Sequence, residues 1–223
     1  MGDRDFRTVI KNSIESVGKE LDYKIDIENL DKIHLGEVTK CLRRSYYDRT
    51  DPAEPERTRF SDLIGGMFRK LDYGSISATF DLKNGASLEG QSDMIADDVV
   101  MIFRSVSEFP EDPFAKDILY LNACLWIYDK IDGIIVYIDG NGKEGSFSLT
   151  KDKKMFEELV RRVQTYRTLL NDKKLPQLEP STECTTCQYY ERCFTKKKRN
   201  EKDVIHQILG MGKEVGAKTA WQD

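Results

Sequence analysis

Between residues 116 and 130 the chain reads KDILYLNACLWIYDK, apolar on almost every side of a helical projection. An ordinary surface helix carries one apolar stripe, whereas a helix that is apolar all round has to be covered on every side. This one therefore belongs at the centre of the fold. Strand signals stand on both sides of it. SISATFDL alternates with period two, placing Ile76, Ala78, Phe80 and Leu82 on one face. KNGAS reads as a turn, LEGQSDMI as a second strand and VVMIFRSV as a third, buried on both faces. After the helix, DGIIVYID and EGSFSLT flank GNGK, a strong hairpin signal.

Helical spacing marks the remaining segments. Phe6, Val9, Ile10, Ile14, Val17 and Leu21 form one stripe over residues 5–21. The first half of IHLGEVTKCLRRSYYDRTDPAEPERTRF reads as a helix, ended by the loop at Pro52 and Pro55. A further helix is expected over residues 58–72, tightly packed or interrupted at Gly65-Gly66. Residues 152–171 are amphipathic through Phe156, Leu159, Val160, Val163, Tyr166 and Leu170. Helix, helix, three strands, helix, two strands and helix make an α/β or α+β domain on a mixed sheet. At 223 residues the chain can bury a substantial core.

No apolar run reaches the roughly 18 residues of a membrane span, and the charged N-terminus lacks the apolar centre of a signal peptide. The expectation is a cytoplasmic protein without membrane contact, whose cysteines stay reduced. The net charge of −4 argues against a nucleic-acid binder, but its distribution is uneven. Residues 151–223 hold 16 Lys+Arg against 11 Asp+Glu, leaving 19 against 28 in the first 150. A basic C-terminal third on an acidic body suits either a phosphate-binding surface or a merely solvated one.

Three of the five cysteines lie in ECTTCQYYERCF, spaced C-x2-C-x5-C as Cys184, Cys187 and Cys193. A tetrahedral metal site needs a fourth ligand. The remaining candidates are Cys41, Cys124, His34 and His206. His206 would complete a Cys3His zinc site, Cys124 reads as a small buried hydrophobe inside the apolar helix, and His34 has no partner at ligand spacing.

Cys41 stands in VTKCLRRSYYDR, with Arg43, Arg44, Tyr46 and Tyr47 beside it. This context, followed about 140 residues later by C-x2-C-x5-C, resembles the RecB-like iron–sulfur nucleases, and within them the CRISPR-associated exonucleases of the Cas-four type. The resemblance implies a PD-(D/E)XK, restriction-endonuclease-like mixed sheet flanked by helices. It implies a 4Fe–4S cluster on Cys41, Cys184, Cys187 and Cys193, closing a domain over residues 1–195, with a basic tail at 196–223. By analogy with a disulfide, stapling so long a loop is worth on the order of 5 kcal/mol.

The family's cleavage site uses Mg2+ or Mn2+ held by an Asp and a Glu, with a Lys near the attacking water. The G-x-x-D signature is Gly90-Gln91-Ser92-Asp93, which makes Asp93 the metal ligand. At the E-x-K positions stand Ile102 and Arg104. The family's helix His aligns with Phe68, and its Q-x-x-x-Y with Tyr120 and Cys124. Isoleucine ligates no cation, and arginine stays protonated, so the site reads as impaired. The competing expectation is an active exonuclease whose ligands have moved to Glu89, Asp97, Asp98 or Glu108.

Arg43, Arg44, Arg49 and the run Lys196-Lys197-Lys198-Arg199 suggest a phosphate-contacting rim. Tyr46, Tyr47, Tyr189 and Tyr190 supply aromatics for base stacking or for shielding a cluster. Gly210-Met211-Gly212 faintly resembles the G-x-G of a helix-hairpin-helix, whose amides approach a DNA phosphate, but a lone G-x-G is a weak signal and a frayed C-terminal helix is the plainer reading. The resemblance then implies binding of single-stranded DNA or DNA ends during spacer acquisition, beside the CRISPR spacer integrase complex. A structural or redox-responsive metalloprotein is the alternative outside DNA processing.

Overall fold

A computed structural model describes residues 25–53, 77–83 and 85–194. The helices expected at 5–21 and 58–72, Ile76, Phe68, the tail with Lys196 and Lys197, and His206 lie outside the described residues. The chain divides into two compact units, Met1–Pro176 and Gln177–Asp223.

The first unit opens with strand β1 (Lys32–His34), the single-turn helix α1 (Leu35–Val38) and helix α2 (Leu42–Thr50). Where the sequence suggested one continuous helix, a strand and two helices stand instead. The break is local chemistry. His34 ends β1 and caps α1, its Nδ1 accepting from the Gly36 N–H at 3.0 Å while the Glu37 carboxylate accepts the His34 N–H at 2.8 Å. This reciprocal box starts a helix and excludes His34 from it. His34 is thus a structural residue.

Strands β2 (Ala78–Asp81) and β3 (Ser87–Gly90) join β1 in a three-stranded sheet ordered β1-β3-β2, with β3 parallel to β1. Strands β4 (Met94–Ala96), β5 (Val99–Ser105), β6 (Asp132–Ile138) and β7 (Glu144–Thr150) form a four-stranded sheet in that order. Its central β5–β6 pair is parallel and its outer pairs are antiparallel. Parallel strands need a crossover, here helix α3 (Ala115–Ile127). LEGQSDMI, read as one strand, is two strands in different sheets, separated at Gln91-Ser92-Asp93. The Gly90 backbone is so close to Leu35 that a Cβ would sit 2.4 Å from its Cδ1, so only glycine fits before the crossing.

Helix α3 lies where its composition demands. Leu121, Ala123, Cys124 and Leu125 are fully buried, and α3 packs on both sheets and on α4 (Lys153–Asn171). Its anchor to α4 is polar: Asn122 exchanges two hydrogen bonds with the Asp152 backbone, at 2.8 and 3.0 Å. Helix α4 buries Phe156, Leu159, Val163, Tyr166 and Leu170, the stripe read from its spacing. In the second unit, a 3-10 turn (Thr182–Thr186) precedes helix α5 (Tyr190–Phe194).

One buried ion pair ties α1, α2 and α4 together. Glu37 receives the Arg49 Nε at 2.5 Å, Arg49 Nη2 at 2.8 Å and the Tyr166 hydroxyl at 3.1 Å. Arg49 spends its other N–H groups on the carbonyls of Asp26, Asn29 and Lys32. Every charge is met, which is the condition under which a buried pair is tolerated. Glu37→Ala leaves the guanidinium buried and uncompensated, and is expected to cost about 3–5 kcal/mol in urea unfolding.

Candidate functional site

Asp93 follows the crossing between the sheets, and its N–H bonds the Met101 carbonyl of β5 at 3.1 Å. That bond turns its carboxylate inward, where it is 1% exposed. Oδ2 accepts the Phe103 N–H at 2.7 Å and the Arg104 Nη1 at 3.1 Å. The Arg104 guanidinium continues the chain, its Nε donating to Asp117 Oδ1 at 3.2 Å and its Nη1 to the Phe103 carbonyl at 2.8 Å. Asp117 Oδ2 in turn accepts the Tyr137 hydroxyl at 2.9 Å, and Tyr137 accepts the Phe114 N–H at 3.0 Å. Tyr120 covers the guanidinium from 5.1 Å and donates its hydroxyl to the Gln91 carbonyl.

The electrostatics follow from burial. Enclosure works against the charge on Arg104, but the carboxylates of Asp93 and Asp117 more than offset it, so its pKa is raised and it stays a cation. Burial likewise pushes up the Tyr137 phenol and the Cys124 thiol. Cys124 is the buried small hydrophobe its setting suggested.

Asp93 and Arg104 meet, therefore, and Ile102 lies fully buried in the core between them in sequence. A hard divalent cation does not fit this arrangement. Its negative acceptors already surround a tethered positive group, and no second carboxylate comes from residue 102. The proposed migrants stand elsewhere. Glu89 pairs with Lys32 and Ser77, Asp98 with Lys130, and Glu108 is exposed. Asp97 and Asp98 form the β4–β5 turn with positive φ. Asp117 escaped the sequence reading. Its signal was an acidic residue at the start of an otherwise apolar helix, a place where helix-end electrostatics alone accounts for an acid.

Other assignments change in three dimensions. Arg49 is locked to Glu37 inside the core and forms no phosphate rim. Tyr189 is 1% exposed, which removes it from base stacking, and Tyr46 packs against the core. Arg43 directs its Nε to the Pro176 carbonyl at 2.8 Å. Cys41, Cys184, Cys187 and Cys193 form no disulfide and have intermediate exposure. Cys184 Sγ accepts the Ser181 N–H at 3.4 Å, and the Cys187 N–H closes the turn on the Cys184 carbonyl at 3.2 Å. Among the described residues no group of three or more His, Cys, Asp or Glu side chains is gathered to hold a metal, the C-terminal cysteines included. Among the described residues, no helix is long and apolar enough to cross a membrane.

Fold and site together define a mixed α/β protein with two mixed sheets flanked by helices, in which the half-buried guanidinium of Arg104 bridges the buried carboxylates of Asp93 and Asp117. The solved protein SSO0001 shares the fold, with TM-score 0.60 and 16% identity over 87% of this chain and 98% of that one. Other matched structures include the alkaline exonuclease LHK-Exo of Laribacter hongkongensis, at TM-score 0.44 and 10% identity over 66% of this chain and 91% of that one. A phage-related exonuclease of Haemophilus somnus matches at 0.41 and 9%, over 63% and 83%. No protein-family model and no curated relative matches the sequence.

Because Arg104 and Asp117 act on one chain of charges, their losses are not independent. Arg104→Met and Asp117→Asn are each expected to destabilise the protein. The double variant should fall short of the summed effects by about 0.5–3 kcal/mol in a urea double-mutant cycle.

Proposed function

We propose that this chain is a nuclease-fold, RecB-like iron–sulfur protein that binds DNA and has given up metal-dependent cleavage. The observation that carries the reading is the Arg104 guanidinium held between Asp93 and Asp117, taking with a side chain the role a divalent cation has in the resembled site. A tethered cation can neutralise buried carboxylates. It cannot activate a water as a bound metal does, and a guanidinium that stays protonated is no general base. Asp93 then serves the fold.

The cluster on Cys41, Cys184, Cys187 and Cys193 belongs to the same proposal. Its support is the split cysteine spacing, with Cys41 about 140 residues before C-x2-C-x5-C. Bound there, it would cross-link segments with 142 residues between them and hold the DNA-binding scaffold together. Arg43, Arg44, Lys196 and Lys197 are the proposed DNA contacts, with single strands or ends as ligand and a CRISPR spacer integrase complex as partner. The second reading, an active Mg2+/Mn2+ exonuclease, requires Arg104 to give up Asp93, whose Oδ2 it shares with the Phe103 N–H.

Labelled single-stranded DNA incubated with Mn2+ should stay intact with the parent protein, and binding should weaken steeply with added salt. Cleavage that vanishes in Asp93→Ala would restore the active enzyme. Protein purified without oxygen should be brown and contain iron and sulfide; a colourless zinc protein would overturn the cluster.

A further inference from the structure

Among the described strands, β7 is the longest open edge. In the sheet ordered β4-β5-β6-β7 it has β6 on one side and, among the described residues, no strand on the other. It runs seven residues, whereas the other edge strands, β1, β2 and β4, run three or four. The hairpin fixes which of its backbone groups face outward. The Asp139 N–H bonds the Lys143 carbonyl at 3.0 Å and the Lys151 N–H bonds the Ile131 carbonyl at 2.8 Å, and both pairs continue the β6–β7 register. Antiparallel pairs alternate between bonded and non-bonded. Residues 145, 147 and 149 therefore direct their amides and carbonyls to β6, while Glu144, Ser146, Ser148 and Thr150 turn theirs to the open edge. Among the described residues no backbone bond reaches those four.

Edges of this kind are normally guarded by lysine, proline, a bulge or sheer shortness. Within β7 none of these occurs. Its register with β6 is unbroken from Glu144 to Thr150, and its single charge is Glu144 at one end. The order of residues also reads alike in both directions about Phe147, as Ser146-Phe147-Ser148. A two-fold contact demands that symmetry, because each residue pair across it occurs twice with the roles exchanged.

We propose that β7 is a homodimer edge: a second copy of this chain adds its own β7, antiparallel, across a two-fold axis at Phe147. Ser146 then faces the partner's Ser148, and Glu144 faces the partner's Thr150. Each outward residue exchanges two hydrogen bonds with its opposite, and no bond to β6 is given up. Phe147 meets the partner's Phe147 in a non-bonded pair, the closer of the two kinds, on the face where it already lies edge-on to Tyr137 at 5.9 Å. No like charges meet between Glu144 and Thr150. Lys143 and Lys151 lie beyond the paired run, and Lys151 is bound to Asp129. The two-fold contact consumes both edges and leaves none for a third chain. A contact built on one strand pair stands at the weak end of protein interfaces, so the dimer is concentration-dependent. The inference uses neither the DNA reading nor the cysteines and stands if both fail.

Sedimentation equilibrium of the full chain, over a concentration series up to its solubility limit, tests the proposal. The parent should pass from the mass of one chain to twice that mass. Ser146→Pro and Ser148→Pro each remove an outward N–H and place a ring on the edge without removing a β6 bond. Both should melt near the parent and keep single-chain mass throughout, whereas Ser146→Ala keeps the backbone and should associate as the parent does. Phe147→Cys should link to itself on mild oxidation, because non-bonded antiparallel partners stand about 4.5 Å apart between Cα atoms, within disulfide reach. Peptide mass spectrometry distinguishes that linkage from any through the native cysteines. A parent that stays monomeric at every concentration overturns the proposal, as does association that survives both proline variants, the result expected if a different surface or a peptide of another protein is involved. If neither proline variant folds, Phe147→Cys decides, and absence of the self-linked peptide counts against two-fold pairing.

Discussion

A carboxylate taken out of water has to meet positive charge or donors, and Asp93 meets both at one point. The Phe103 amide and the Arg104 guanidinium converge on a single oxygen. Through Arg104 the same charge reaches Asp117 on α3 and, by way of Tyr137, the start of that helix and strand β6. The crossing between the sheets, the central parallel pair and the crossover helix therefore share one electrostatic solution. In a low-dielectric setting such a chain is strong when complete and costly when broken. Arginine suits this position because its fork spans two carboxylates.

The same physics recurs under the other sheet. Glu37 and Arg49 neutralise each other while spending every remaining donor and acceptor on backbone or on Tyr166. The two networks act on different parts of the fold. At Asp93 the guanidinium joins two carboxylates carried by different elements. At Glu37 it stiffens α1 and α2, and with Arg162 it orders the backbone on which Cys41 stands.

Much of the fold was legible because its signals are local. The all-apolar composition of residues 116–130 is enough to bury α3. The GNGK turn sets the β6–β7 hairpin, where Gly142 takes a φ of 81° and Asp139 gathers the Asn141 and Lys143 amides. The stripe from Phe156 to Leu170 defines α4. The misreadings arose where tertiary contacts overrode pattern. LEGQSDMI alternates well enough to pass for one strand, yet the close approach of Leu35 to Gly90 and the inward turn of Asp93 break it. IHLGEV contains good helix formers, but His34 is drawn into a strand beside Leu88 and Glu89.

The sequence by itself determined the central helix, the β6–β7 hairpin, the apolar stripe of α4 and the spacing of the cysteines. Those are properties of residue type and short-range period, which need no partner to be defined. Only the tertiary structure decided what Arg104 does, that Asp117 is its second carboxylate, that Arg49 is a core residue and that Arg162 holds the turn before Cys41. Each of these depends on groups 11 to 124 residues apart meeting in space, and a guanidinium reads alike in sequence whether water or two carboxylates surround it.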